Sequence, residues 1–343
     1  MASHAFEQGL WREILSIARH APSPHNVQPW RVKICSTQDA ELLIDGQRTL
    51  PKEDFTGSFL LSAMGMFLEA IDLLAAPHRM HLEFELLEAP ETFAQKARSE
   101  HVNEMIRFAH LRLVDGDPVP NAYAPENFLT RRTCRISLHP TPVPPEAVNA
   151  LTTLSREFGH TYRQTDSSEQ IDRILTHNID AVFHDMNVPA YHDEITSWFR
   201  FTDKAAKHHR DGLDYRCMNL SRSEFWLSAR MSPLLLFPPS RWLLRARYKR
   251  QLGTVPAIGM LSGKFFVAEN AIDSGRFLMR FWLETARLGL YLHPYGNLVT
   301  NPEAAKWLKH EVDLDDIWLV FKLGYADEPP QSHRRSLDEI LIT

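Results

Sequence analysis

The sequence predicts an α+β protein made of two half-units packed together inside one chain, an intramolecular pseudo-dimer. Three observations carry this. First, GSFLLSAMGMFLEAIDLLAA (57–76) and GRFLMRFWLETARLGLYL (275–292) are long, mostly apolar helix candidates that share a leading glycine and a Phe-Leu pair, and a strand candidate follows each. A helix apolar on nearly every face belongs in a core. Second, residues 116–127, with Pro118, Pro120, Pro125 and little hydrophobicity, read as a connector between the halves, 1–120 and 121–343. Third, IWLVFKLG (317–324) is the apolar run of a buried strand.

The elements follow in order. A short helical run (8–20) leads into a loop, then strands at 31–35 and 41–45 separated by turn residues. The first long helix spans 55–76 and stops at Pro77. A strand at 81–87, a charged helix at 91–109 and a short strand at 111–114 complete the half. The second half opens with LTRRTCR (129–135) and the proline-rich HPTPVPP, followed by helices at 145–158, 169–183 and 189–201. From 204 to 254 the pattern loosens, and so long an irregular stretch reads as an insertion or lid. A strand at 263–269 precedes the second long helix (273–290), with Asp273 or Ser274 as N-cap and Gly289 near its end. HPYGN makes a turn, a short helix covers 302–310, and a basic tail follows the strand at 317–324.

Composition excludes several classes. With 343 residues, 44% hydrophobic, 24% charged and a net charge of −5, nothing global favours nucleic acid or an anionic membrane. Cys35, Cys134 and Cys217 form no CxxC pair, so neither a disulfide framework nor a zinc site is indicated, and a reducing cytoplasm suits them. The first residues lack a basic n-region followed by an apolar run, and no uninterrupted apolar run approaches the ~20 residues of a membrane span. There is no GxGxxG, Walker A or GxSxG sequence. HDMN, YHDE and KHHRD hold metal-capable side chains without a spacing that defines a site. Residues 239–250, basic and Trp-containing, read as a surface helix, with peripheral membrane association the competing reading.

Two stretches point to a ligand. In APSPHNVQPWR (21–31) three prolines fix φ and remove three backbone donors, leaving a stiff loop whose Ser23, His25, Asn26 and Gln28 are expected to bond a partner. Arg131, Arg132 and Arg135 bracket Thr133, and guanidinium groups this close suit an anion. His333, Arg334 and Arg335 form a second basic cluster.

These residues also carry a family resemblance. APSPHNVQPW resembles the APSxxNxQPW signature of flavin-dependent nitroreductases, LTRRTCR resembles their RRSxR signature, and LGYADEPPQSHRRSLDEIL is similar to their closing strand and basic tail. The motif order, with the proline loop in the first half and the arginine run only in the second, resembles the internally duplicated branch that includes mycobacterial dormancy-associated proteins. The resemblance implies small, mostly antiparallel sheets flanked by helices and one FMN per chain between the halves. It further implies an FMN-dependent oxidoreductase that passes hydride from NAD(P)H to a nitroaromatic or quinone-like small-molecule acceptor by a ping-pong scheme, with no protein acid or base assigned. The expected cofactor-binding residues are Pro22, Ser23, Asn26 and Gln28 from the first half and Arg131, Arg132, Thr133, Arg135, Tyr295, Gly296, Arg334 and Arg335 from the second. Within this set the arginine run and Arg334 or Arg335 would hold the phosphate, Arg135 the pyrimidine edge, and Tyr295 and Gly296 would offer backbone donors. Pro24 replaces a common serine. If 204–254 closes over the site, flavin sequestration is the alternative. A cytoplasmic monomer or weak homodimer, without nucleic-acid partner or stable membrane insertion, is expected.

Overall fold

The protein is described by a computed structural model covering residues 9–99, 103–116, 123–230 and 238–342. The 120/121 boundary expected between the halves therefore lies outside the described residues, as does most of the proline cluster at 232–240.

In the first half, α1 (Gly9–Ala18) precedes the hairpin of β1 (Trp30–Ile34) and β2 (Asp39–Asp45). Next come α2 (Ser58–Ala75), β3 (Met80–Leu86), α3 (Pro90–Ala97) and β4 (Met105–Asp115). The four strands make one antiparallel sheet in the order β1-β2-β4-β3. The second half begins with α4 (Pro125–Thr130), α5 (Pro145–Glu157) and β5 (Thr161–Thr165). An excursion follows: α6 (Ser168–Asp185), α7 (Pro189–Ser197), β6 (Phe199–Arg200), α8 (Asp203–His209), β7 (Leu213–Asp214), α9 (Arg222–Arg230) and α10 (Pro238–Leu252). Then come β8 (Ala257–Ser262), α11 (Ala268–Arg287), β9 (Tyr291–Pro294), α12 (Asn297–Thr300), α13 (Pro302–Val312), β10 (Ile317–Gly324) and α14 (Leu337–Ile340). The second sheet, β5-β8-β10-β9, is again antiparallel and repeats the plan of the first, with a long helix between its second and third strands. The four-residue turn between β1 and β2 corresponds to the whole excursion between β5 and β8.

Several expectations are corrected. The charged helix read at 91–109 stops at Ala97, because Ile106, Phe108, Leu111 and Leu113 are buried between exposed Arg107, His110 and Arg112, the two-residue period of a strand. The strand read at 263–269 lies at β8, where all six residues are buried, and α11 starts at Ala268 rather than 273. The loose stretch at 204–254 is largely helical where described: Thr202 Oγ accepts from Ala205 N to cap α8. On α10, Arg245 reaches Asp180 (2.7 Å) and Lys249 reaches Asp172 (2.5 Å) of α6. The excursion begins after Thr165, well before Lys204.

The two long helices form the seam between halves. A Cβ on Gly65 would stand 2.0 Å from Ile272 O, and one on Gly275 would stand 2.1 Å from Ser62 O. The two glycines thus let the backbones touch, each facing the other helix. Gly65, not the leading Gly57, is the counterpart of Gly275; Gly57 sits at φ 75° before α2, against Ala94. At the same seam Glu69, fully buried on α2, accepts from Arg276 Nε (2.7 Å) and Arg280 Nε of α11. Residues 58–78 are apolar enough to cross a membrane by length and composition, but most of that segment is buried in this seam and core. Trp30 stacks on Phe67 (4.8 Å) in one half and Trp318 on Phe265 (4.7 Å) in the other.

Candidate functional site

Both sheets direct their connecting segments to one cavity of about 430 Å³ between the halves, a size that suits a small organic ligand. From the first half it takes Pro22, Ser23, His25 and Asn26 of the proline loop, together with Glu53, Asp54 and Phe59. From the second it takes Arg131, Arg132, Thr133, Arg135, Trp282 and Gly296. Arg334 enters from the tail.

The arginine run is positioned by β9. Thr133 bridges Leu292 in parallel and Cys134 N donates to Leu292 O (2.9 Å), so the run lies along the sheet edge. The tail crosses to the other half, where Leu341 lies beside Val32 of β1 and Ile342 N donates to Val32 O (2.9 Å). This strap carries Arg334 to the cavity.

The proline loop binds mainly its own protein. Its side chains bond backbone groups within the loop and in the segments around Gly212 and His333. Gln28 N donates to Ser23 Oγ (2.9 Å), and Asn26 Nδ2 donates to Gly212 O (3.3 Å) and His333 O (3.0 Å). Gln28 is fully buried: Nε2 donates to Arg210 O (2.9 Å) and Oε1 accepts from Arg335 N (2.9 Å). Gln28 therefore locks loop to tail and does not line the cavity. Arg335 is also absent from the wall, since its guanidinium donates to Gln28 O (3.3 Å) and Glu339 O (2.5 Å). Tyr295 is buried behind the wall and its N–H is taken by Val320 O (2.7 Å), so only Gly296 of that pair faces the ligand space. Pro22, Ser23, Asn26, Arg131, Arg132, Thr133, Arg135, Gly296 and Arg334 all line the one cavity.

Four arginines, Arg131, Arg132, Arg135 and Arg334, share the wall with the carboxylates of Glu53, Asp54 and Asp185. Arg131, 5% exposed, donates from Nη2 to His20 O (3.2 Å) and lies 4.7 Å from the Trp282 ring. Its Nε is buried without a partner, as is Nε of Arg334, and neither forms an ion pair among the described residues. Burial, with repulsion from Arg334, pushes the Arg131 guanidinium down to about 9. Burial likewise brings Arg334 to about 10. Arg135 is lowered mainly by burial. Arg132 is already engaged by Glu328 (2.6 Å) and Pro329 O (2.6 Å), though its Nε too is buried without a partner. Arg334, half-buried, also donates from Nη1 to Asn26 Oδ1 (2.8 Å); a buried cation without a counter-ion, as Arg131 is among the described residues, is costly.

His20, missed by the sequence reading although it abuts the loop, reports the same field. Burial first, then Arg334, Arg19 and Arg131, push its pKa from 6.5 to about 3. The folded chain therefore refuses a proton that the unfolded chain binds below 6.5. Ligand-free protein should lose stability as the pH falls from that value toward 3. The loss is roughly 2 kcal/mol by pH 5. Thermal melts of the wild type and His20→Asn across this range check it: the variant should lose less.

The excursion contributes His184, Asp185, Val188, Tyr191 and Leu213 to the wall. Asp185 accepts from Asn297 Nδ2 (2.8 Å) and Asn301 Nδ2 (2.7 Å), which ties α6 to α12 and α13. The part of the excursion that reaches the cavity thus lies mostly at 184–191, before the 204–254 span.

The chain is thus an α+β protein whose two antiparallel sheets share a plan, with an arginine-bearing cavity between its halves. No family model matches the chain. Over 360 aligned residues, covering 100% of this chain and 96% of the relative, it is 25% identical to the "Probable NAD(P)H nitroreductase PigM" of a Serratia species, which agrees with the resemblance carried by the two motifs. Among solved structures it is similar to the FMN-dependent nitroreductase NfnB from Mycobacterium smegmatis in complex with NADPH (17% identity, 62% of this chain and 95% of that one, TM-score 0.39). It is also similar to a nitroreductase with bound FMN from Bacteroides fragilis (11% identity, 62% and 92%, TM-score 0.33).

Proposed function

We propose that the protein is an FMN-dependent NAD(P)H oxidoreductase of nitroreductase type, acting on small nitroaromatic or quinone-like acceptors. The observation that carries this is a pair of guanidinium groups without a carboxylate partner among the described residues, buried Arg131 and half-buried Arg334, which meet from distant parts of the chain on a cavity lined by both halves. The whole-length similarity to a nitroreductase supports it. When bound, FMN supplies the chemistry by taking hydride from NAD(P)H and passing it to the acceptor. The residues fit it: Arg131 and Arg334, assisted by Arg132 and Thr133, would hold the phosphate. Arg135 would hold positive charge at the pyrimidine edge, and Pro22, Ser23 and Asn26 would close the opposite side. Phe59, Phe265, Leu278 and Trp282 line the same cavity and would exclude water from the ring system.

We read one site per chain, complete within a cytoplasmic monomer, since both halves already supply it. Sequestration would require 204–254 to close the cavity, and of the described residues in that span Leu213 alone lines it. Purified protein should be yellow, with one flavin per chain, and should bleach when mixed anaerobically with NADPH or NADH. Two flavins per chain, or no bleaching with either nucleotide, would overturn the reading.

A further inference from the structure

The loop that opens the site is strained in a way its prolines do not explain. His25, Asn26 and Gln28 have φ of 46°, 58° and 52°, three non-glycine residues in the left-handed region within four positions. Such residues are strained and persist only where their surroundings over-determine them. The bonds of Ser23, Asn26 and Gln28 described above do that. None of them uses the His25 side chain, which the strained backbone presents to the cavity.

His25 is held there by carboxylates. Its Nε2 meets Glu53 Oε2 in a short hydrogen bond, and Glu53 lines the same cavity. The segment carrying Glu53 is fixed by Glu194 of α7, whose carboxylate accepts from Lys52 N (3.0 Å) and Glu53 N (2.8 Å). His25 Nδ1 makes no hydrogen bond to the described residues, so it is the ring's remaining donor. Burial and the Arg135 charge disfavour the imidazolium; the charge and hydrogen bond of Glu53, with Glu194 behind it, outweigh them and raise the pKa above 6.5. An imidazole on a cavity wall, oriented by a carboxylate and with its other nitrogen unbonded to the described residues, has the chemistry of a general acid.

We infer that His25, oriented by Glu53, donates the proton that accompanies hydride transfer to the acceptor. The inference rests on the oxidoreductase reading above. For a quinone, the hydride delivers two electrons and one hydrogen. The second hydrogen leaves His25 Nδ1 as H⁺ and forms an O–H bond on the acceptor. The quinone is reduced to the hydroquinone, His25 is left neutral and recovers a proton from water, and Glu53 remains a carboxylate throughout.

The test uses the flavin-loaded protein reduced photochemically, so that failure to use NAD(P)H does not block it. Wild type, His25→Asn and Glu53→Gln are each reoxidised anaerobically by a quinone and by ferricyanide, which takes single electrons and no proton. His25→Asn should slow the quinone reaction by roughly 10²-fold and remove its decline at high pH, while ferricyanide reoxidation stays within about twofold. Glu53→Gln should shift that decline to lower pH, and NMR titration of His25 should show its pKa falling in the same variant. Equal slowing with both oxidants, or an unchanged quinone rate, would overturn the proposal. A preparation that binds no flavin would instead overturn the oxidoreductase reading on which it rests.

Discussion

Replacing Arg131 with Met should weaken FMN binding by about 10²-fold while leaving the ligand-free protein as stable as the wild type or more so. The two effects have one cause. A charge-assisted bond to phosphate contributes about 1.5–3 kcal/mol, and each 1.4 kcal/mol is tenfold in affinity. Without the ligand, the same guanidinium is buried, has an unpartnered Nε, and faces the charge of Arg334. Methionine keeps much of the apolar stem against Trp282 and removes the uncompensated charge. Quenching of flavin fluorescence gives the affinity, and melts without flavin give the stability. Arg132→Met serves as the comparison: its guanidinium already pairs with Glu328 and Pro329 O, so its loss should weaken FMN less and destabilise the apoprotein. Loss of apoprotein stability in Arg131→Met with unchanged affinity would show that Arg131 is structural.

What the sequence made legible was chemistry carried by short range. APSPHN and RRTCR each declare their character within a few residues, and both reach the cavity. The roles inside the loop were less legible. Asn26 and Gln28 look free because prolines deny the loop regular bonds, but their partners, Gly212, Arg210, His333 and Arg335, are more than 180 residues away. Tyr295 misled for a similar reason, because HPYGN has turn composition and yet β9 runs through Pro294 against β10. Among strands, 317–324 was plain because it is apolar throughout, whereas β5 (TYRQT) has one buried residue and no signal of its own. The strand register at 257–262 was displaced toward Phe265 and Phe266, whose hydrophobicity serves aromatic packing instead. The helix seam was half legible. A leading glycine is common to both helices in the sequence, but which glycine meets the other helix, Gly65 rather than Gly57 in α2, depends on the crossing point, which no local pattern encodes.

Removing both Arg276 and Arg280 should destabilise the protein by about 3–5 kcal/mol, the cost of leaving a buried carboxylate unpaired. Glu69 is 0% exposed on α2 and takes both of its partners from α11. Asp72, 3.7 Å from Arg276, adds a second negative charge to the same seam. The asymmetry of the triad makes the prediction specific. The arginine side chains are about a third exposed, so Glu69→Leu alone leaves cations that can turn toward water and should cost far less. Adding Glu69→Leu to the Arg276→Met/Arg280→Met variant should restore most of the lost stability, which a simple loss of packing would not permit. Chemical denaturation of the four proteins closes this cycle. The seam also frames the cavity, since Met66 on α2 and Leu278 and Trp282 on α11 line it. In the double arginine variant FMN should therefore dissociate in the same cooperative transition that unfolds the chain, and the rescued triple variant should regain flavin and stability together. Restored stability without flavin would show that the triad sets the angle between the helices as well as holding them together.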